Sequence, residues 1–163
     1  LDGDDNELPL DKWGEICIKG PGVMKGYWNK PDETGHALRN GWLHSGDIGT
    51  MDDEGYVFIV DRVKDMINVS GFKVWPAEVE GFLYKHPAIQ EVAVYGQAHP
   101  EKGETVVAAV VLREGATATG EEIIAYCRNH LAAYKAPARV DFIPELPKSA
   151  TGKILKRMLR DKE

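Results

Sequence analysis

Residues 147–153, near the end of the chain, carry the side chains with the clearest chemical potential. They read Pro-Lys-Ser-Ala-Thr-Gly-Lys and precede apolar residues at positions 154, 155, 158 and 159. That spacing predicts a short amphipathic helix that packs its apolar face, leaves Lys156 in water and is capped by Ser149 or Thr151. Lys153 would then project near the helix start, where unpaired N–H groups favour an anion. Lys153 is therefore a candidate for binding phosphate or carboxylate, and the alternative is a solvated lysine on an ordinary terminal helix.

A second candidate segment is the charged run at residues 61–65. Asp61, Arg62, Lys64 and Asp65 place four ionisable side chains within five residues. Burying an unpaired charge costs several kcal/mol or forces its neutralisation. We therefore expect a solvated connector that changes its backbone dihedral angles, with a polar surface turn as the alternative.

The elements before this connector are expected to be β-strands. Residues 14–20 alternate like a half-buried strand, residues 41–49 form a further strand broken by glycines, and residues 51–60 form a hairpin. An aromatic loop covers residues 23–31, and no helix is evident in the first sixty residues. On their own, these strands would expose edges or apolar surface, which favours self-association of the fragment.

The elements after the connector are expected to alternate between strands and helices. Residues 69–72 form a tight turn, and Pro76 begins a helix with apolar positions at 79, 82 and 83. Thr119 and Glu122 form a capping-box pattern that opens another helix. Its expected apolar stripe consists of Ile124, Cys127, Leu131 and Tyr134. Further strands are expected at residues 91–95, 105–112 and 139–143.

Composition and charge exclude several classes of protein. The chain has 163 residues, and its formal net charge of −6 argues against a general nucleic-acid binder. Cys17 and Cys127 lie far apart without CxxC or paired-histidine spacing, so we predict no metal site and no disulfide, but reduced thiols in the cytoplasm. No apolar run approaches the roughly 18 residues of a membrane span. Because the chain begins at Leu1 rather than Met, we expect a fragment.

Four separated motifs together resemble the adenylate-forming superfamily, which includes acyl-CoA synthetases, the adenylation domains of peptide synthetases and firefly luciferase. The motifs are Gly14-Glu15 with Gly26-Tyr27-Trp28, residues 41–47, residues 61–65 continuing through Gly71 to Pro76 and Glu78, and residues 147–153. Each motif alone is weak. Their order, over nearly the whole chain, makes the resemblance specific.

The resemblance implies an α+β fold in two domains. Residues 66–163 would form the small C-terminal mixed α/β lid domain, and residues 62–65 the hinge. Residues 1–61 would be the β-rich end portion of the large N-terminal AMP-binding domain. The family's phosphate loop and acyl pocket do not match any part of this sequence, so the chain is expected to be inactive by itself.

Three residues resemble the family's ATP-handling groups. Asp47 resembles the carboxylate that accepts hydrogen bonds from both ribose hydroxyls of ATP, a role that suits two acceptor oxygens. Arg62 matches the arginine that touches the same nucleotide. Lys153 matches the catalytic lysine that bridges the substrate carboxylate and the α-phosphate while acyl-adenylate forms.

Four further residues resemble the hinge and the CoA-binding segment, and a fifth resembles another AMP-binding position. Lys64 matches the pivot about which the family rotates its small domain after pyrophosphate leaves. Ser70, Gly71 and Phe72 resemble the lining of the pantetheine tunnel, where a glycine allows close approach to the backbone. Lys73 matches a basic position near a phosphate group, and we assign it to AMP binding. The alternatives are an Asx turn for Asp47, a hairpin turn for Gly71 and a solvated strand end for Lys73.

The resemblance predicts part of an ATP-dependent, AMP-forming acyl-CoA ligase for a fatty or aryl acid. Its implied partners are a carboxylic acid, ATP with Mg²⁺, CoA and the large N-terminal domain, and the fragment shows no residue assigned as a Mg²⁺ ligand. The alternatives are a non-catalytic module that binds AMP or CoA, and the adenylation domain of a peptide synthetase. The sequence ends soon after Lys153 without a carrier domain, which favours the ligase.

Overall fold

The computed structural model of the protein describes residues 1–160, so the last three residues of the predicted lid domain, 161–163, lie outside the described residues. The chain folds as two compact units, with Leu1–Lys64 in the first and Asp65 beginning the second. Both units combine a sheet with few helices. The predicted α+β class is confirmed.

The first unit is built on one antiparallel sheet. Its elements are β1 (Gly14–Ile18), α1 (Pro31–Ala37), β2 (Leu38–Arg39), β3 (Trp42–Met51) and β4 (Val57–Arg62). The long strand β3 pairs with β1, β2 and β4, all antiparallel. The predicted hairpin is confirmed, because Asp52 accepts the N–H groups of Glu54 and Tyr56 in the turn between β3 and β4.

Helix α1 corrects the expectation that the first sixty residues lack a helix. It begins with Pro31 in its first turn, followed by Asp32 and Glu33, which suit the positive end of a helix. None of its residues is buried. It therefore has no apolar stripe, and the periodicity that reveals most helices is missing.

The second unit carries a five-stranded sheet. Its elements are β5 (Ile67–Val69), β6 (Phe72–Val74), α2 (Pro76–Leu83), β7 (Ile89–His99), β8 (Gly103–Leu112), α3 (Gly120–Arg128), β9 (Arg139–Phe142) and α4 (Lys156–Arg160). The strand order is β6-β5-β8-β7, and β9 pairs with β8 in parallel. Helix α3 forms the crossover that a parallel pair requires.

The sheet of the second unit is buried on both faces. Along β7, Val92 and Val94 join one buried cluster, which also contains Val79 and Leu83 of α2. Ala93 and Tyr95 join a second cluster with Leu159 of α4. Burying a Val or Leu side chain contributes about 1.5–3 kcal/mol, so both clusters stabilise the unit. We call them the first and the second cluster.

The capping box of α3 is confirmed, but its predicted stripe is partly wrong. The Thr119 hydroxyl accepts the N–H of Glu122, whose carboxylate accepts the N–H of Thr119. The buried residues are Ile123 and Cys127 rather than Ile124 and Cys127. Leu131 and Tyr134 pack against the first cluster from the segment after the helix. The helix ends at Arg128, so its period does not extend to them.

The predicted terminal helix begins later than expected. Helix α4 begins at Lys156, and Leu159 is buried while Met158 is 52% exposed. Lys156, expected in water, forms an ion pair with Glu80. The segment before α4 is a turn, because Lys148 and Ile154 form an isolated antiparallel bridge. Across residues 1–160, no helix is long and apolar enough to cross a bilayer.

Both cysteines are unpaired thiols, and their reactivity should differ between the folded and unfolded chain. Burial raises the pKa of the Cys127 thiol from 9.0 to about 11. Because the thiolate is the nucleophile, its population at pH 8 falls about a hundredfold. In a Cys17→Ser variant, we expect alkylation of Cys127 to be at least that much slower in the folded chain than in denaturant. Mass spectrometry over time would measure it, and equal rates would contradict the buried placement.

Candidate functional site

Lys153 lies in a tight hairpin and not at a helix start. The Ser149 N–H donates to the Lys153 carbonyl at 2.8 Å, and the Lys153 N–H donates to the Ser149 hydroxyl at 3.1 Å. Gly152 completes the turn with φ of +80°, a conformation that glycine adopts without strain. The prediction that helix N–H groups surround Lys153 is therefore wrong. The two bonds between Ser149 and Lys153 close a turn, and helix α4 begins only at Lys156. We call residues 148–154 the Lys153 hairpin.

The Lys153 side chain is exposed at this hairpin. Within residues 1–160, its ammonium group has no ion-pair partner. The neighbouring Lys148 is different, because its ammonium lies 2.5 Å from the Glu91 carboxylate. An exposed cation on a closed turn is available to an anionic ligand, and its backbone is already ordered.

Asp47 and Arg62 lie directly opposite each other on β3 and β4. The Arg62 Nε lies 2.9 Å from the Asp47 Oδ1, and both side chains remain partly open to solvent. Arg62 thus occupies one oxygen of the carboxylate, while the second keeps its acceptor capacity. The two predicted nucleotide-binding residues of the first unit are brought together by strand pairing.

Arg62 and Lys64 also line a cleft of about 640 Å³ in the first unit, together with Tyr27 and Arg39. Lys64 lies in a single 3-10 turn, Val63–Asp65, that follows β4 directly. Its side chain is exposed. The predicted pivot is thus a short solvated turn between two compact units.

Ser70 and Gly71 form the two-residue turn between β5 and β6. Their φ angles are 52° and 88°, and this pair of positive values matches the right-handed twist of a hairpin. The Gly71 N–H donates to the Asn68 side chain at 2.9 Å. Apart from Gly71 and its two chain neighbours, the described structure has no atom within 4 Å of the point where a Gly71 side chain would begin. The turn is therefore open to a ligand that approaches its backbone.

Phe72 and Lys73 follow this turn on β6. The Phe72 ring stacks on Tyr134 with centroids 4.7 Å apart, and 56% of the Phe72 residue is exposed. Lys73 pairs in register with Asn68 and has an exposed side chain. Within residues 1–160 it forms no ion pair.

The two candidate segments of the second unit are associated with different faces of its sheet. Ile154, in the Lys153 hairpin, packs against the second cluster. Tyr134, which stacks on Phe72, packs against the first cluster. The sheet lies between the two clusters, because neighbouring residues of β7 point to opposite faces.

A partly buried polar cluster in the first unit was missed by sequence reasoning. Strand pairing sets Cys17 opposite His44, and Glu15 Oε2 lies 2.9 Å from His44 Nδ1. Ligand atoms of these three residues lie within 4.8 Å of one another, as in a metal site. Arg39, however, lies 3.3 Å from the same Glu15 oxygen and already supplies a positive charge. The register between β1 and β3 was the missing signal, because sequence spacing does not show it.

Comparison with known proteins places this geometry in a family. Residues 78–153 match the family model described as the AMP-binding enzyme C-terminal domain. Over 161 residues, the chain is 52% identical to a long-chain-fatty-acid–CoA ligase of Escherichia coli O6:H1, covering 99% of this chain and 28% of the relative. Over 153 residues it is 46% identical to a feruloyl-CoA synthase of an Amycolatopsis species, covering 94% and 31%.

The likeness extends to solved structures. The crystal structure of ATP-bound MatB from Rhodopseudomonas palustris matches with a TM-score of 0.89 and 38% identity, over 98% of this chain and 32% of that chain. The chain thus spans 28% of the length of the Escherichia coli relative. The matched region includes both units, since it covers nearly all of the present sequence. Residues 78–153 therefore belong to the family of AMP-binding enzyme C-terminal domains, and nearly the whole chain is similar to long-chain-fatty-acid–CoA ligases and to ATP-bound MatB.

Proposed function

We propose that the chain is the C-terminal part of an ATP-dependent, AMP-forming acid–CoA ligase that acts on a fatty or aryl acid. In such an enzyme the carboxylate attacks the α-phosphate of ATP and forms acyl-adenylate with release of pyrophosphate; the acyl group is then transferred to CoA with release of AMP. The observation that carries the proposal is the Lys153 ammonium, which has no ion-pair partner among residues 1–160 and lies on an ordered hairpin within the matched family segment. The similarity to a fatty-acid and a feruloyl ligase supports the two acid classes.

In the adenylation step, Lys153 would contact the acid carboxylate and the α-phosphate. Negative charge builds on the phosphoryl oxygens in the transition state. A cation that is already fixed in position stabilises this charge without a rearrangement of the site. The Asp47 carboxylate would accept hydrogen bonds from the ribose hydroxyls. The Arg62 Nε, 2.9 Å from the Asp47 Oδ1, orients this carboxylate. Lys73 would contribute a further positive charge near AMP. Mg²⁺ would enter with the ATP phosphates, and we assign it no ligand among residues 1–160.

In the thioester step, a rotation at residues 62–65 would replace the Lys153 hairpin by the Gly71 turn. Lys64 is the proposed pivot, and the single 3-10 turn that holds it supports this role. Ser70, Gly71 and Phe72 would line the path of the pantetheine arm. The association of the two segments with different clusters supports a lid that uses one face at a time.

Replacing Gly71 by alanine is expected to impair the second half-reaction selectively. The side chain would meet no protein atom, but the backbone has φ of +88°, which is strained for alanine by about 1–2 kcal/mol. A methyl group would also narrow the pantetheine path. Because both effects would misplace the thiol, we expect the rate of thioester formation from supplied acyl-adenylate to fall about tenfold in the longer protein.

Acid-dependent pyrophosphate exchange should be unchanged in this variant. Gly115→Ala is the matched control, because Gly115 also has positive φ and an open environment but lies outside the candidate site. Equal losses in both half-reactions of Gly71→Ala would contradict its assignment to CoA binding.

An exposed apolar strand supports a large domain as the partner of the first unit. Val57, Phe58 and Ile59 of β4 are exposed, Ile59 by 70%. Among the described residues, β4 pairs only with β3, so its other edge is open. We infer that the large N-terminal domain covers this strand, and that the isolated chain self-associates there. Light scattering should show concentration-dependent growth, and a monomer at high concentration would contradict it.

The function is tested with the longer protein, an acid panel, ATP and CoA. The proposal predicts acid-dependent pyrophosphate exchange and an acyl-CoA product for fatty or aryl acids. Transfer to a carrier protein instead of CoA, or no exchange with any acid, would overturn it. The present chain should be inactive in both assays. Its two unpaired thiols fit the reducing cytoplasm, which we propose as its location.

A further inference from the structure

The position of Lys153 depends on what holds the hairpin around it, because the residue belongs to a turn and not to a regular element. A lysine at the start of this hairpin and a lysine two residues after its end each pair with a carboxylate. Lys148 pairs with Glu91 of β7, and Lys156 pairs with Glu80 of α2. The two pairs differ in burial, and that difference decides which one can act as an anchor.

The Glu80–Lys156 pair is shielded and has a second attachment. The Lys156 Nζ lies 2.8 Å from Glu80 Oε1, and only 17% and 18% of the two side chains are exposed. The same oxygen accepts the backbone N–H of Val94 at 2.7 Å. One carboxylate therefore joins three elements, α2, the middle of β7 and α4. Charge-assisted hydrogen bonds of this kind are short and about twice as strong as neutral ones.

The Glu91–Lys148 pair is more open to solvent. Although its atoms lie 2.5 Å apart, 41% of the Lys148 side chain and 29% of the Glu91 side chain are exposed. Water screens such pairs, and many contribute little that can be measured. This pair therefore serves as the comparison for the shielded one.

We propose that Glu80 and Lys156 are positioning residues that hold the Lys153 hairpin for the adenylation step, an inference that rests on the proposed ligase function. Neither residue touches the reacting atoms in this role. Lys156 lies three residues after Lys153 and begins α4, so fixing its ammonium on Glu80 restricts the outgoing end of the hairpin. A displacement of about 1 Å at a catalytic group lowers rates by about a hundredfold.

The test is Glu80→Gln in the longer protein. Glutamine keeps an oxygen that accepts the Val94 N–H and removes only the charge. We expect kcat for acid-dependent pyrophosphate exchange to fall about 10–100-fold, with the KM for ATP nearly unchanged. Thioester formation from supplied acyl-adenylate should keep its rate, because the Gly71 turn lies elsewhere in the unit. Equal losses in both half-reactions would indicate general structural damage and would overturn the proposal.

A second set of variants separates charge from folding. Lys156→Gln should reproduce the loss, and Lys156→Arg should keep most of the activity because it retains the cation. In a Lys153→Ala background, adding Glu80→Gln should lower exchange no further, since the group being positioned is gone. An additional loss of the same size in that background would contradict positioning through Lys153. These readouts remain interpretable if one single variant folds poorly.

Glu91→Gln provides the matched control. It removes the β7 carboxylate that pairs with Lys148 of the hairpin, and we expect less than a fivefold change in exchange. Equal losses in Glu91→Gln and Glu80→Gln would overturn the assignment to the shielded pair. Failure of the ligase proposal itself would look different, because the unaltered protein would then show no acid-dependent exchange.

Discussion

Replacing Lys153 by alanine is expected to reduce acid-dependent pyrophosphate exchange by about 10²–10³-fold in the longer protein. Loss of one preorganised group that stabilises developing charge has this magnitude in other enzymes. The lysine ammonium has no ion-pair partner within residues 1–160, so its removal leaves no carboxylate unpaired there. The hairpin bonds of Ser149 use the backbone of Lys153, and alanine keeps them. The loss should therefore be chemical, with little change in thermal stability.

The matched control for this variant is Lys148→Ala. Lys148 belongs to the same hairpin, but its ammonium is paired with Glu91 and partly solvated. We expect its removal to change exchange by less than about fivefold. Transfer of a supplied acyl group from adenylate to CoA should continue in Lys153→Ala. Retained exchange in that variant would remove Lys153 from the adenylation step.

The second large effect is expected for Asp47→Ala. Two hydrogen bonds from ribose hydroxyls to a charged carboxylate contribute about 1.5–3 kcal/mol each. We expect kcat/KM for ATP to fall about 10²–10⁴-fold, mainly through a higher KM. Arg62 would also lose its carboxylate partner, whose Oδ1 lies 2.9 Å from the Arg62 Nε. The guanidinium beside the nucleotide would then no longer be held in one orientation. Asp47→Asn keeps one acceptor oxygen and should show a smaller loss.

A nucleotide analogue tests this assignment directly. With unaltered Asp47, the enzyme should prefer ATP to 2′-deoxy-ATP, because the analogue lacks one of the two ribose donors. In Asp47→Ala that preference should vanish, since the acceptor is missing. A preference of unchanged size in the variant would place the ribose elsewhere. Each preference is a ratio of the rates with two nucleotides, measured with the same protein. It therefore does not depend on the stability of the variant.

Features that depend on local chemistry could be predicted from the sequence. The turn at Ser70 and Gly71 and the capping box of Thr119 and Glu122 use residue types that suit those backbone angles and hydrogen bonds. Pro76 and the apolar positions 79, 82 and 83 likewise predicted the helix that begins at Pro76. In each case the stabilising partners lie within a few residues of one another.

Features that depend on distant pairing could not be predicted in the same way. The Lys156–Glu80 contact joins residues that lie far apart in the sequence of the second unit. The Cys17–His44 pairing depends on strand register. The turn around Lys153 was mistaken for a helix start because Ser149 is a plausible cap in both settings. The Ser149 hydroxyl accepts a hydrogen bond from the Lys153 N–H, and this bond closes the hairpin rather than capping a helix.

The hydrogen bond from the Val94 N–H to the Glu80 carboxylate affects which sheet edge can associate with another molecule at high protein concentration. Val94 lies midway along β7, whose only strand partner among residues 1–160 is β8. A charged side chain placed across that edge obstructs an incoming chain that would extend the sheet. Strand β4 lies at an edge of the other sheet and exposes Phe58 and Ile59. Intermolecular β-sheet extension, and with it precipitation, should therefore begin at residues 57–62.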